Sequence, residues 1–171
     1  MNRVDPRTSY DDLYVSENVH EVEPDRYADL VTAEPFDMGW VTIATVVDDD
    51  GRVLLIYDEA DECWVVPGGT VKPSETLTEA VVREVDEEAG VEIVPERPHS
   101  VVEVGCTDGE RSAGFNVVGY EATPVTTTVG TDLGVDDESI TDAAWFSDLP
   151  ENLFEREHAE VLVERARENR V

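Results

Sequence analysis

Residues 68–90 constrain the fold more than any other part of the chain, and they read GGTVKPSETLTEAVVREVDEEAG. Apolar residues recur in this stretch at the spacing of one helical face, namely Leu77, Val81 and Val85. Thr76 and Glu79 have the spacing of a capping box, so we expect the helix to begin after Thr76 or, alternatively, after Ser74. Gly90 is the residue type that ends a helix in the left-handed conformation. The stretch therefore predicts a loop, an amphipathic helix and a second loop.

Three acidic residues, Glu84, Glu87 and Glu88, crowd into an arc of roughly 100° on this helix, beside the apolar stripe. Like charges three or four residues apart destabilise a helix by a few tenths of a kcal/mol per pair. Either these acids belong to a very acidic surface, or a cation lies among them. Mg²⁺ or Mn²⁺ would suit the site, because hard cations bind carboxylate oxygens. Arg83 could also reach back to Glu75 and hold the preceding loop against the helix.

The spacing of these residues resembles the Nudix box. The specified positions of that motif are all matched, by Gly69, Glu75, Arg83, Glu84, Val85, Glu87, Glu88, Gly90 and Val91. The flanking sequences WVVPGG and AAWFSDLP also resemble those of Nudix hydrolases, so the resemblance extends over residues 40–150. A chance match at every position is on the order of one in a million in a chain this rich in glutamate.

The resemblance implies an α+β chain with the Nudix fold, in which a mixed β-sheet is sandwiched between helices. It also implies hydrolysis of the pyrophosphate bond of a nucleoside diphosphate linked to another group, with Mg²⁺ as cofactor and Mn²⁺ as a substitute. The metal ligands would be Glu84, Glu87, Glu88 and Gly69. The same three glutamates, with Arg83 and Glu75, would form the catalytic set.

The general base stays open, because in this family it is either a box glutamate or an acid from a distant loop. Glu84 and Glu87 are the box candidates. Glu138, in an Asp-rich loop, is the outside candidate, and its alternative role is that of a surface acid.

The substrate also stays open. Residues 106–108 carry neither the proline nor the tyrosine that marks some Nudix subfamilies downstream of the box. Family frequency favours ADP-ribose or a nucleotide sugar. The alternatives are a MutT-like nucleoside triphosphate pyrophosphohydrolase that removes oxidised nucleotides, and a non-catalytic nucleotide-sensing module. Sensor modules usually lose a box residue, and this chain keeps them all.

Other polar and aromatic residues are weaker candidates. Arg52 and Arg111 could hold a substrate phosphate, or they could pair with surface acids. Trp64 and Phe115 could stack on a base, or they could belong to the core. The histidines, which lack metal-ligand spacing and are expected to be structural or exposed, are His20, His99 and His158.

The charge of the chain restricts its partners. Its 41 acidic and 12 basic residues give a net charge of −29, and all but one of the basic residues are arginine. Such a surface repels nucleic acid and anionic membranes. The composition is similar to that of proteins from salt-loving archaea, in which high salt screens self-repulsion. We therefore expect a halophilic, cytoplasmic protein without a membrane span or signal peptide, and with reduced, buried Cys63 and Cys106.

We divide the chain into an N-terminal extension, residues 1–36, and a hydrolase domain, residues 37–171. The extension has a weak helical pattern near Tyr27 and is expected to pack on the domain or on the partner subunit of a homodimer. Within the domain we expect a hairpin at 40–58 around Asp50 and Gly51, strands at 63–69, 91–94, 100–106 and 113–122, a loop at 123–139, a last strand from 140, and a helix at 154–169.

Overall fold

A computed structural model of the chain describes residues 4–135 and 138–170. In chain order the elements are β1 (Tyr14–Glu21), α1 (Pro24–Leu30), α2 (Glu34–Met38), β2 (Trp40–Val46), β3 (Val53–Asp58), β4 (Cys63–Val65), β5 (Gly68–Thr70), α3 (Leu77–Ala89), β6 (Ile93–Thr107), β7 (Ser112–Pro124), β8 (Ile140–Phe146) and α4 (Arg156–Asn169).

The strands form two sheets. The larger sheet is mixed and has the strand order β1-β6-β7-β2-β5, and the smaller one has the order β4-β3-β8. β1 runs parallel to β6 and β2 parallel to β7, whereas β6 with β7 and β2 with β5 are antiparallel. The predicted α+β architecture with a mixed sheet is therefore confirmed.

Strand β3 shows why helices lie on both sides of the sheets. Successive side chains of a strand point to opposite faces, and β3 is buried on both. Leu54 and Ile56 join the hydrophobic cluster that contains the apolar face of α3. Val53 and Leu55 join a second cluster, which contains residues of α4. The sheets are therefore enclosed between the two longest helices, as the sandwich prediction requires.

The hairpin predicted for residues 40–58 is wrong beyond its turn. The turn itself is present, because Gly51 has a positive φ of 79° and donates to the carbonyl of Asp48 at 3.0 Å. Strand pairing stops after the Val47–Val53 bridge. β2 then pairs with β5 and β7, and β3 pairs with β4 and β8. A local Asp-Gly signal specifies the turn, but burial on both faces decides which neighbours each strand finds.

Two other predicted strand boundaries are corrected. The strand at 63–69 is divided around Pro67, so that β4 lies in the small sheet and β5 in the large one. Conversely, the strands at 91–94 and 100–106 form one long strand, β6, whose register shifts near Pro95 and Pro98. Proline lacks a donor for the ladder and is accommodated at such irregularities, so it did not end the strand here.

Helix α3 has the predicted ends. Thr76 accepts from the amide of Glu79 at 3.1 Å, and the Glu79 carboxylate accepts from the amide of Thr76 at 2.9 Å, which completes the capping box. Gly90 ends the helix with a φ of 65°. Helix α4, in contrast, begins at Arg156 rather than at residue 154, because Glu155 adopts a left-handed conformation. Phe154 is consequently exposed instead of lying on the helix.

The N-terminal residues contribute to the large sheet. β1 forms its edge beside β6, and α1 buries Tyr27. Both cysteines are free thiols, with Cys106 buried and Cys63 partly buried. No helix within residues 4–135 and 138–170 has the length and apolar character needed to cross a membrane.

Candidate active site

The acidic face of α3 opens into a cleft of about 550 Å³ between β5, α3 and the segment before β8. The charged side chains that line it are Glu34, Asp58, Lys72, Arg83, Glu84, Glu87, Glu88 and Glu138. Six of these eight residues are acidic, so the cleft by itself would repel an anionic substrate. It needs positive charge to bind a phosphate compound.

The glycines of β5 allow the helix to approach the sheet closely. The amide of Gly68 donates to Oε2 of Glu88 at 2.9 Å. A Cβ atom at Gly69 would lie only 2.5 Å from the carboxylate carbon of Glu84. A larger residue at position 69 would push the Glu84 side chain of α3 away from β5. This gives a physical reason for glycine at this position of the box.

Arg83 ties α3 to the loop that precedes it. Its guanidinium donates to both carboxylate oxygens of Glu75, and to the carbonyl of Thr70 at 3.2 Å. It also donates to Glu84 at 2.7 Å and to Glu87 at 3.2 Å. The hydrogen bond from Arg83 lowers the pKa of Glu75. The contact between Arg83 and Glu75 expected from the sequence is thus present, and the arginine offsets part of the repulsion among the acids.

Three carboxylates of the cleft come together in a group that could hold a metal ion. Oxygen atoms of Glu84, Glu87 and Glu138 all lie within 4.8 Å of one another. Glu84 is buried, Glu87 is partly buried and Glu138 is exposed. Burial raises the pKa of Glu84, although its hydrogen bond with Arg83 opposes this shift. A cluster of carboxylate oxygens that is open on one side fits Mg²⁺ or Mn²⁺, which also retain water or phosphate ligands.

Glu88 lies in the same cleft but apart from this group. Glu88 is 6% exposed, and its carboxylate accepts a hydrogen bond from the amide of Gly68. Burial raises the pKa of Glu88 to about 9, and the Gly68 hydrogen bond reduces the shift only in part. The structure therefore groups Glu84 and Glu87 with Glu138, whereas the sequence suggested Glu88 as the third member.

The two arginines suggested as phosphate ligands lie outside the cleft. Arg52 pairs with the buried carboxylate of Asp48 at 2.7 Å. Arg111 pairs with Asp108 at 2.6 Å and covers the ring of Tyr27. Both arginines thus have acidic partners of their own.

The aromatic and histidine candidates are also engaged elsewhere. Trp64 packs edge-on against Tyr57 and Phe146, and Phe115 packs against Phe36. Of the histidines, His20 is exposed, His99 is buried beside Thr45 and Glu121, and His158 stacks near Tyr14.

Sequence reasoning overlooked Lys72, which lines the cleft within the loop before α3. It is the single lysine of a chain whose other basic residues are arginine. The position of this one lysine inside the most specific motif of the sequence is the signal that could have identified it.

The profile of the NUDIX domain matches residues 39–162, which is most of the chain. The chain belongs to the NUDIX family. A 69-residue segment is 42% identical to the human 8-oxo-dGDP phosphatase NUDT18, and covers 39% of this chain and 21% of that protein. A 54-residue segment is 39% identical to the ADP-ribose pyrophosphatase of Methanocaldococcus jannaschii, and covers 30% of this chain and 32% of that protein. The matched segments therefore span between a fifth and a third of these NUDIX relatives.

The fold is shared with solved NUDIX structures. The crystal structure of a NUDIX-family hydrolase from Clostridium perfringens superposes with a TM-score of 0.62 at 19% identity. The match covers 78% of this chain and 99% of that one. At this identity the likeness establishes the common NUDIX fold.

Proposed function

We propose that this NUDIX protein is a divalent-metal-dependent hydrolase that cleaves the pyrophosphate bond of a nucleoside diphosphate derivative. The grouping of Glu84, Glu87 and Glu138 in one cleft carries the proposal. Helix α3 supplies two of these carboxylates, and the segment before β8 supplies the third.

The metal ligands in this proposal are Glu84, Glu87 and Glu138, with Glu88 and the backbone of Gly69 beside them. Bound Mg²⁺ or Mn²⁺ would neutralise the diphosphate and lower the pKa of a coordinated water. The ionised carboxylates would in turn compensate for the charge of the cation, which offsets the cost of bringing them close together.

The remaining residues of the box position these ligands. Arg83 holds Glu75 and the carbonyl of Thr70, and thereby fixes the loop before α3 against the cleft. Glu84, Glu87 and Glu138 are the candidates for the general base, because each has a carboxylate in the cleft that could accept a proton from the attacking water. Lys72 lines the same cleft, where an ammonium group could bind a distal phosphate.

ADP-ribose or a nucleotide sugar is our first choice of substrate. The relative from M. jannaschii is named an ADP-ribose pyrophosphatase, which supports this choice. The human relative is named an 8-oxo-dGDP phosphatase, and this observation favours an oxidised nucleotide as the second candidate. Both names refer to compounds that contain a nucleoside diphosphate.

A substrate panel tests the proposal. The protein would be assayed in high KCl with Mg²⁺ or Mn²⁺ against ADP-ribose, nucleotide sugars, 8-oxo-dGDP and nucleoside triphosphates. AMP released from ADP-ribose would support the first choice. Phosphate from 8-oxo-dGDP, or pyrophosphate from triphosphates, would support the second. Tight nucleotide binding without any product would instead identify a sensor and refute the enzyme.

We further propose that the protein works in a salt-rich cytoplasm, because its net charge of −29 requires screening. We assign residues 37–171 to the hydrolase domain and residues 1–36 to an extension. Homodimerisation stays a prediction, which sedimentation in high KCl would test.

A further inference from the structure

The segment that follows β7 crosses the C-terminal end of α3 and caps it. The amide of Gly130 donates to the carbonyl of Ala89 at 2.8 Å, and the amide of Gly134 donates to the carbonyl of Glu87 at 2.7 Å. The last four carbonyls of a helix have no partner within the helix. Two of them are thus satisfied by a segment that is distant in sequence, and one belongs to a residue of the acidic cluster.

Two glycines make this crossing possible. A Cβ atom at Gly130 would lie 2.9 Å from Cα of Gly90, and one at Gly90 would lie 2.6 Å from Cα of Gly130. The two backbones therefore touch with no side chain between them. Gly130, unlike Gly90, lies outside the left-handed region. Alanine at position 130 would consequently meet only a steric obstacle and no unfavourable φ.

The same segment is fixed by further contacts. The indole of Trp145 donates to the carbonyl of Thr127 at 2.9 Å. Val129 and Leu133 pack against the hydrophobic cluster that contains the apolar face of α3. Packing and hydrogen bonds therefore hold the segment against α3, where the backbones of Gly90 and Gly130 meet.

Glu138 is connected to this fixed segment. Its amide donates to the carbonyl of Val135 at 2.8 Å. Atoms of its side chain lie 3.4 to 3.5 Å from the position that a Cβ on Gly134 would take. The carboxylate then reaches Glu84 and Glu87. Contacts at Gly134 and Val135 therefore link Glu138 to the segment that caps α3.

We propose that the backbone contact between Gly90 and Gly130 sets the position of Glu138 relative to Glu84 and Glu87, and that Gly130 is a positioning residue for the metal site. This inference rests on the proposed function. A carbon–carbon contact needs about 3.5–4.0 Å, so a methyl group at position 130 would push the segment away from α3 by roughly half an ångström to one ångström. Metal and catalytic sites need their ligands placed within about half an ångström.

The test is the affinity of the metal-free protein for Mn²⁺, measured by electron paramagnetic resonance in high KCl. Gly130→Ala is expected to weaken Mn²⁺ binding about tenfold, because substitutions of residues that orient metal ligands commonly have effects of this size. Thr131→Ala is the matched control, because this neighbour is exposed. It should bind Mn²⁺ like the wild type.

A double-mutant cycle with Glu138→Gln separates positioning from general damage to the fold. If Gly130 acts through Glu138, Gly130→Ala will cause no further loss of Mn²⁺ affinity in the Glu138→Gln background. Unchanged affinity in the single variant would overturn the inference, and so would an equal loss in both backgrounds.

A second variant covers the case in which Gly130→Ala does not fold. Trp145→Phe removes the hydrogen bond to Thr127 and keeps an aromatic ring, so it should cause a smaller loss that also disappears in the Glu138→Gln background. A loss that persists there would overturn the inference. Failure of the proposed function is distinguishable, because it would appear as an inactive wild type in the substrate panel, whatever the Mn²⁺ cycle shows.

Discussion

Replacing Glu88 by glutamine should make the metal-free protein more stable. Burial raises the pKa of Glu88 from 4.5 to about 9. Glutamine has nearly the same size, carries no charge, and can still accept the hydrogen bond from the amide of Gly68. The substitution thus removes a buried ionisable group and keeps its contact.

The size of the gain depends on pH. Below about pH 4.5 the carboxyl is protonated in both the folded and the unfolded state, so it has no electrostatic cost. As the pH rises towards 9, the unfolded state ionises and the folded state does not, so stability falls by about 1.4 kcal/mol per pH unit. At pH 7 the free energy of unfolding of the wild type should therefore be lower than that of the glutamine variant by up to about 3 kcal/mol.

Urea unfolding with EDTA in molar KCl, at several pH values between 5 and 8, measures this difference. Glu92→Gln, at an exposed position after the helix, is the matched control and should show no difference that grows with pH. The reasoning is refuted if Glu88→Gln is no more stable than the wild type at pH 7, or if the gap between them is the same at pH 5 and pH 8.

Three further predictions concern the site and the surface. Glu87→Gln should fold normally and lower the turnover rate by about a thousandfold, and a near-normal steady-state rate would remove Glu87 from the mechanism. Arg83→Lys should lower the free energy of unfolding by about 1–3 kcal/mol, because lysine cannot bond Glu75, Glu84 and Thr70 together; an unchanged urea midpoint would contradict this. The melting temperature should rise steeply between low and molar KCl as salt screens the net charge, and a flat curve by differential scanning calorimetry would count against a halophilic surface.

The parts of the structure that were predictable have local causes. Thr76, Glu79 and Gly90 specify the ends of α3 through contacts within a few residues, and both ends were confirmed. The Arg83–Glu75 contact also follows from spacing along one turn-and-helix unit. Such signals depend on the neighbouring residues and are therefore readable in a single sequence.

The parts that were not predictable depend on contacts between distant residues. Val47 and Val53 flank a turn that was recognised, but the sequence does not show that their strands enter different sheets. Similarly, the place of Glu138 beside Glu84 follows from packing of the preceding segment on α3, and no spacing rule relates positions 84 and 138. Separating Glu88 from the cluster likewise required the positions of the carboxylate oxygens in space, which periodicity alone does not provide.

The most direct test of the metal site is an anomalous difference map from crystals grown with Mn²⁺ and a non-hydrolysable ADP-ribose analogue. We expect a manganese peak in contact with Glu84 and Glu87, with Glu138 beside the same ion and the diphosphate on its open side. A bound analogue with no peak between these carboxylates would contradict it.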